Sequence, residues 1–156
     1  MPYLCGYEGV ALFLDADMVV TADIAELFAT DMSHHQVLVN KEQAEFEWAS
    51  AMLFDCSACS ILTPEFVDDA RNALFDFKWA EHGAVGAFAP EWNHCCGYAK
   101  PNPGAKLFHF TRGIPIWRET KGNAEDSVFF DAYKHMLHSV SHAELMGNSV
   151  HVRKAS

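Results

Sequence analysis

The chain has 156 residues, 50% of them hydrophobic, with a formal net charge of -10 at pH 7 and an isoelectric point near 5.2. That length and apolar content suffice to bury a core and fit one domain over residues 1–156. The acidic excess argues against unaided binding to nucleic acid or to an anionic membrane, both of which reward clustered Lys and Arg. No apolar run is long enough to span a bilayer, and Met1-Pro2-Tyr3-Leu4 lacks the basic start and hydrophobic core of a signal peptide, so the expected compartment is the cytoplasm.

Residues 1–9 leave little room for structure before the first apolar run, Val10 to Leu14, which follows Gly9. β-Branched or aromatic side chains in that run predict a short strand buried on both faces. It stops abruptly at Asp15, with Asp17 two residues further on. On a roughly extended chain, side chains two apart point to the same side, so both carboxylates converge on one hard cation. A shared cation also offsets their mutual repulsion, which would otherwise drive one of them to take up a proton. An Asp-rich turn at a strand end is the alternative. The location, at the carboxyl end of a buried strand where open α/β sheets bind their ligands, favours a site.

Asp23 followed by Glu26 makes a capping-box-like start, and Ile24, Leu27 and Phe28 fall on one face of a short helix. His34 and His35 read as loop, ahead of a strand at Val37, Leu38 and Val39. Residues 48–55 predict the next buried strand. Thr63 as N-cap, Pro64 in the first turn and Glu65 at the positive end predict a helix with Phe66, Val67, Ala70, Leu74 and Phe77 as its apolar stripe. Residues 79–88 are Gly-broken and rich in small residues, which suits a loop whose ionisable groups are Glu81 and His82. Trp92 is expected to anchor the core edge.

Pro101, Asn102, Pro103 and Gly104 form a turn before a strand over residues 105–110, which leads into a loop containing Arg112 and Gly113. Asn123 is expected to cap a last helix with Glu125 and Asp126 in its first turn and Val128, Phe129, Ala132, Tyr133, Met136 and Leu137 on one stripe. His135, His138 and His142 share a face of it, read as solvated rather than metal-binding, and the polar residues 152–156 as a frayed end. The five cysteines, Cys5, Cys56, Cys59, Cys95 and Cys96, are odd in number, which points to reduced thiols. Cys56-x-x-Cys59 has zinc-ligand spacing, but the adjacent Cys95 and Cys96 are a poor second pair, so small buried thiols are expected.

The run from Ala11 to Val20 around Asp15 and Asp17, followed by Ala22-Asp23-Ile24-Ala25-Glu26-Leu27-Phe28, resembles the DxD region of nucleotide-sugar glycosyltransferases of GT-A fold, and most closely bacterial family-8-like members. Pro90-x-Trp92-Asn93 is similar to a stretch common in that family. So is the strand ending in His109-Phe110, with its Gly-containing loop reaching Pro115-x-Trp117. The resemblance implies an α/β fold, a GT-A-type mixed sheet flanked by helices. It further implies that residues 1–9 match only the entry to the DxD strand, so that the chain lacks the amino-terminal segment contacting base and ribose. It also implies transfer of a sugar, with retention, from a nucleoside diphosphate donor, a UDP-sugar, to an unidentified acceptor.

In the family the two acids and the His hold a divalent ion against the donor diphosphate, which carries over to Asp15, Asp17 and His109. A mixed oxygen and nitrogen donor set suits Mn2+ better than Mg2+. Ser50 keeps the central place of the family's sugar-pocket stretch, with Ala49 and Ala51 beside it. Asn93 is carried over as a residue positioning the preceding loop. Arg112 and the backbone around Gly113 are candidates for the phosphates, with Ile116 standing where many members have Lys. No nucleophile or base is singled out. If the amino-terminal strands are missing, Val10 to Leu14 becomes an apolar sheet edge through which two chains would associate. Two alternatives stay open: an inactive fragment that keeps the metal corner, and a zinc or thiol module using the cysteines and the His135 face.

Overall fold

The computed structural model describes residues 1–69, 71, 74–138, 141 and 144, and these residues form seven short strands in two sheets. The first sheet has the order β1-β4-β3-β5, with β1 (Val10–Leu14), β3 (Val37–Val39), β4 (Ala51–Asp55) and β5 (Val85–Ala87). β4 runs antiparallel to both β1 and β3, and β5 runs parallel to β3. The second sheet has the order β2-β7-β6, with β2 (Met18–Val20), β6 (Trp92–Cys95) and β7 (Leu107–His109). There β2 is antiparallel and β6 parallel to β7.

Central strands carry unbroken apolar runs because both of their faces are covered, and Val37, Leu38 and Val39 are all buried. β1 departs from the expectation of a strand buried on both faces. Ala11 is buried, Leu12 to Leu14 are half-buried and Val10 is exposed, because β1 lies at the edge of its sheet with β4 on one side. The expectation of an apolar edge strand is met.

Four further expectations are corrected. Residues 15–17 are a turn from β1 into β2 rather than an extended segment. Residues 45–50 form a 3-10 turn, so the strand expected over 48–55 starts only at Ala51. Residues 79–88, expected as loop, contain β5. Its centre is Gly86, where an added Cβ would lie 2.4 Å from Leu38 Cδ2, so only glycine lets β5 approach β3. At Gly86 the small residue is a close-packing requirement, whereas Gly83, with φ 81° and open space around it, serves the turn before β5. Asn123 does not cap α3 (Asp126–Leu137) with its side chain; it donates to the Thr120 carbonyl, while Asp126 accepts from the Gly122 amide.

Thr63 does cap α2 (Pro64–Asp68), its hydroxyl accepting from the Phe66 amide at 3.2 Å. That helix ends before the full stripe can form. Phe66, Leu74 and Phe77 pack on the first core, Val67 is exposed, and Ala70 lies outside the described residues. In α1 (Ala25–Phe28) Asp23 accepts from the Ala25 amide and Leu27 is buried, but Phe28 is 43% exposed. α3 lays Val128 and Phe129 on the second sheet, with Phe129 edge-on to Phe110. His135 and His138 are exposed, and His142 and residues 152–156 lie outside the described residues. Trp92 is buried as expected, with the Lys106 ammonium 5.7 Å from its ring centre. No helix among the described residues is long and apolar enough to cross a membrane.

Leu53 lies at the centre of β4 and is fully buried, so Leu53→Ala is expected to lower the unfolding free energy by about 2–5 kcal/mol. Phe28→Ala, on a half-open surface, should cost less than about 1 kcal/mol. Urea denaturation of the two variants checks the core assignment, and equal losses would contradict it.

Candidate metal and substrate site

The turn at residues 15–17 joins the two sheets, and backbone bonds hold it from both sides. The Asp15 amide donates to the Ser50 carbonyl just before β4, and the Phe110 amide just after β7 donates to the Asp17 carbonyl, each at 2.9 Å. β2 then pairs with β7 so that Met18 stands opposite His109. The imidazole of His109 is thereby brought beside both acids, with Nε2 3.3 Å from Asp17 Oδ1 and 3.9 Å from Asp15 Oδ2. One donor atom from each of the three residues falls within 4.8 Å of the others.

Exposure divides the set. The side chains of Asp15 and Asp17 are 42% and 34% exposed, whereas that of His109 is buried. Solvent can therefore reach the oxygen donors while the nitrogen donor stays fixed in the core. Burial pushes the Asp15 carboxyl above its ordinary range, the neighbouring Asp17 and Glu47 carboxylates add to the rise, and His109 opposes it. A cation at this point would relieve the crowding of negative charge.

Glu47 was not singled out by the sequence. Its side chain is only 7% exposed, and its Oε2 lies 3.4 Å from His109 Nδ1, on the far side of the ring from the acid pair. Its Oε1 accepts from the Thr111 hydroxyl at 2.7 Å. A charged residue inside the largely apolar stretch between Phe46 and Leu53 was the available signal, since buried acids are rare unless partnered.

The other expected site residues are placed as follows. Ser50 lines the cavity next to the acids, but its hydroxyl donates to the Glu47 carbonyl at 2.6 Å. Asn93 sits behind it, fully buried, donating to Ser50 Oγ at 2.9 Å and to the Glu47 carbonyl at 3.3 Å. Its backbone has φ 81°, a left-handed conformation that Asn tolerates better than most residues. Arg112 stacks over the Tyr98 ring, 5.6 Å from its centre, and Tyr98 borders the cavity. The Gly113 amide is already engaged, donating to the Phe110 carbonyl at 2.7 Å, and φ 102° with Thr120 beside its Cα explains the glycine.

The cavity has a volume of about 730 Å³ and two unlike ends. Asp15, Asp17, Glu47, His109 and Thr111 cluster at one. Phe13, Met52, Phe54 and Trp79 wall the other, and exposed rings of Phe46, Phe75 and Tyr98 stand at its border.

The cysteines behave as packing groups. Cys56, Cys59, Cys95 and Cys96 are buried and free. Burial pushes the Cys56 thiol up to about 11 and those of Cys59, Cys95 and Cys96 up to about 12. Cys56 and Cys59 join no group of three donors among the described residues. Cys95 lies near Glu47 and His109, and Cys96 near His94 and Glu125. The last two form a buried clasp, His94 Nε2 to Glu125 Oε1 at 3.2 Å, which ties the start of α3 to β6.

No known family profile matches the chain. Protein CDI of Arabidopsis thaliana is 28% identical to it over 148 residues, covering 76% of this chain and 56% of that protein. The chain thus spans about half the length of the curated relative it matches. A crystal structure of the glycosyltransferase GlyE of Streptococcus pneumoniae TIGR4 superposes with a TM-score of 0.60 at 15% identity, covering 80% of this chain and 39% of that one. The apo form of GlyE gives 0.60 at 14% identity, covering 98% and 46%. The chain therefore has the mixed α/β, GT-A-like fold seen in these glycosyltransferases, as the sequence led one to expect.

Removing Glu125 leaves His94 Nε2 buried without its partner, which costs about 1–3 kcal/mol. Glu125→Ala is expected to unfold correspondingly earlier in denaturant, whereas Ala at the exposed Glu119 should be nearly silent. Identical curves for the two would remove the clasp from the account of how α3 is held.

Proposed function

We propose that the chain forms the metal-binding portion of a glycosyltransferase, family-8-like, that moves a sugar with retention from a nucleoside diphosphate donor, a UDP-sugar, to an acceptor. One observation carries the reading: two carboxylates and an imidazole from separate strand ends, Asp15, Asp17 and His109, converge at the polar end of a cavity. Hard oxygen donors with one nitrogen donor fit Mn2+, and Mg2+ less well. The raised Asp15 and the net charge of -10 both favour a resident cation before a diphosphate could approach. When bound, that ion acts as a Lewis acid and offsets charge on the diphosphate leaving group.

Within this reading Asp15 and Asp17 supply the solvent-facing donors and His109 the fixed one. Ser50 and Asn93 brace the wall beneath the sugar position, since the Ser50 hydroxyl and the Asn93 amide nitrogen are already spent on each other and on the Glu47 carbonyl. Arg112, held against Tyr98, is the cation available to a phosphate at the cavity border. The apolar end shields the reacting centre from water.

A second reading, a metal-binding domain without transferase activity of its own, is favoured by one observation: the Ser50 hydroxyl, the Asn93 side-chain nitrogen and the Gly113 backbone amide are all internally engaged. Calorimetric titration with Mn2+ in the presence and absence of UDP separates the two. Tighter metal binding with UDP is expected from the transferase reading, and binding indifferent to UDP supports the second. Asp17→Ala and His109→Ala should each weaken Mn2+ binding by more than about tenfold with the circular dichroism spectrum retained. Manganese affinity equal to wild type in both variants would end the metal assignment.

The same proposal extends to self-association. β1 is an edge strand with exposed Val10 and half-buried Leu12 and Leu14, and such edges pair readily with one another. Light scattering after size-exclusion chromatography should show a dimer that Val10→Lys disperses. A wild-type monomer at high concentration would rule the edge contact out.

A further inference from the structure

We infer that Glu47 is the positioning residue of the metal site: it accepts the Nδ1–H of His109, which keeps the proton on Nδ1 and leaves the Nε2 lone pair facing Asp15 and Asp17. The inference rests on the metal reading above and names the group that makes His109 a ligand.

Three observations carry it. Glu47 is the buried member of the acid cluster, while Asp15 and Asp17 are partly open to solvent, so its place suits the interior side of the ring rather than an arriving ion. His109 Nδ1 is buried and makes no hydrogen bond of standard geometry, yet Glu47 Oε2 lies 3.4 Å from it. An orphaned ring nitrogen facing a carboxylate is one small rotation from a bond, and buried polar groups rarely stay unpaired. The carboxylate is also held from elsewhere. Thr111 donates to Oε1, and the backbone carbonyl of Glu47 accepts from both Ser50 and Asn93. The 3-10 turn before β4 and the strand β6 thus hold the backbone of Glu47, and the loop after β7 holds its carboxylate.

The chemical consequence follows from the imidazole. A neutral ring carries one proton, and a ligand must present its bare nitrogen to the ion. With Nδ1–H given to Glu47, the bare nitrogen is Nε2. Without Glu47 the proton can settle on Nε2 and bond to Asp17, which closes the site. Glu47, Cys95 and His109 also lie within reach of one common ion at Nδ1. The 2.7 Å bond from Thr111 favours the positioning role, because it occupies one carboxylate oxygen and aims the other at the ring.

Two readouts test this on the full chain. The first is long-range proton–nitrogen NMR on metal-free protein, assigning the His109 resonances. Wild type is expected to show a protonated, slowly exchanging Nδ1, and Glu47→Ala to lose that signal. The second is Mn2+ affinity by calorimetry, expected to fall about 10–100-fold in Glu47→Ala. Glu47→Gln, whose amide oxygen still accepts from Nδ1, keeps the Nδ1 signal and most of the affinity, and provides the comparison should the alanine variant fold poorly. Thr111→Val should fall between the two, and Cys95→Ser should match wild type.

A wild-type His109 protonated at Nε2 alone, or an unchanged Nδ1 signal and affinity in Glu47→Ala, overturns the inference while leaving the metal reading intact. A loss in Cys95→Ser as large as that in Glu47→Ala overturns it in favour of an ion at Nδ1. If wild type binds no Mn2+ the metal reading falls, and the NMR comparison of wild type with the Glu47 variants still decides whether Glu47 sets the proton.

Discussion

Met18 pairs with His109 across β2 and β7, and this register determines which side chains meet at the junction of the two sheets. A slip of one residue would turn His109 to the opposite face of the second sheet and leave the acids facing nothing. The register is fixed because the turn at residues 15–17 is clamped at both ends, by Asp15 to the start of β4 and by Asp17 to the end of β7. The turn has no slack to transmit an error. Each sheet therefore positions one part of the site: β1 delivers Asp15 from the first, and β7 delivers His109 from the second.

Around that junction the polar groups fall into two layers. Asp15 and Asp17 face outward and keep access to solvent, while Glu47, Ser50, Asn93 and Thr111 sit behind His109 and bond mostly to one another. The inner layer explains why an acid can stay in a core that is otherwise apolar, since its oxygens have the Thr111 hydroxyl and the imidazole as neighbours. It also separates binding from bracing. The Ser50 hydroxyl and the Asn93 amide nitrogen, which hold the wall in place, are engaged within the protein, whereas the carboxylates of Asp15 and Asp17 stay partly exposed.

Much of the first sheet and the outer layer was legible in the residues. Val10 to Leu14 and Val37 to Val39 are strands because unbroken apolar runs of that length have few other stable outcomes, Asp15 and Asp17 stood out as acids at the end of such a run, and His109 was marked by the family resemblance. Thr63 and Pro64 announced a helix through local chemistry alone. What was hidden depends on partners distant in sequence. β5 reads as loop because Gly86 serves a close approach to β3, and Glu47 does not stand out because its 3-10 turn gives no period to show which way it points. β2, three residues long, is a strand by virtue of β7 rather than of its own composition. Pairwise tertiary contacts decide such segments, and they leave little trace in local pattern.

The acids at the junction also set how the chain answers to pH. Asp15 has its folded-state pKa raised above the ordinary carboxylate value, chiefly by burial. A group shifted in that direction favours the folded state when protonated. Its contribution is fully present below the unfolded pKa and is lost as pH rises through the folded one. At neutral pH, then, the ionised Asp15 beside Asp17 and Glu47 works against folding rather than for it. A cation that binds the folded chain alone reverses the sign, because its binding free energy adds to stability by mass action. The cluster is thus better explained as a binding device that the surrounding core tolerates than as a source of stability, and the core strands β3 and β4, buried and free of such groups along most of their length, supply the compensating burial.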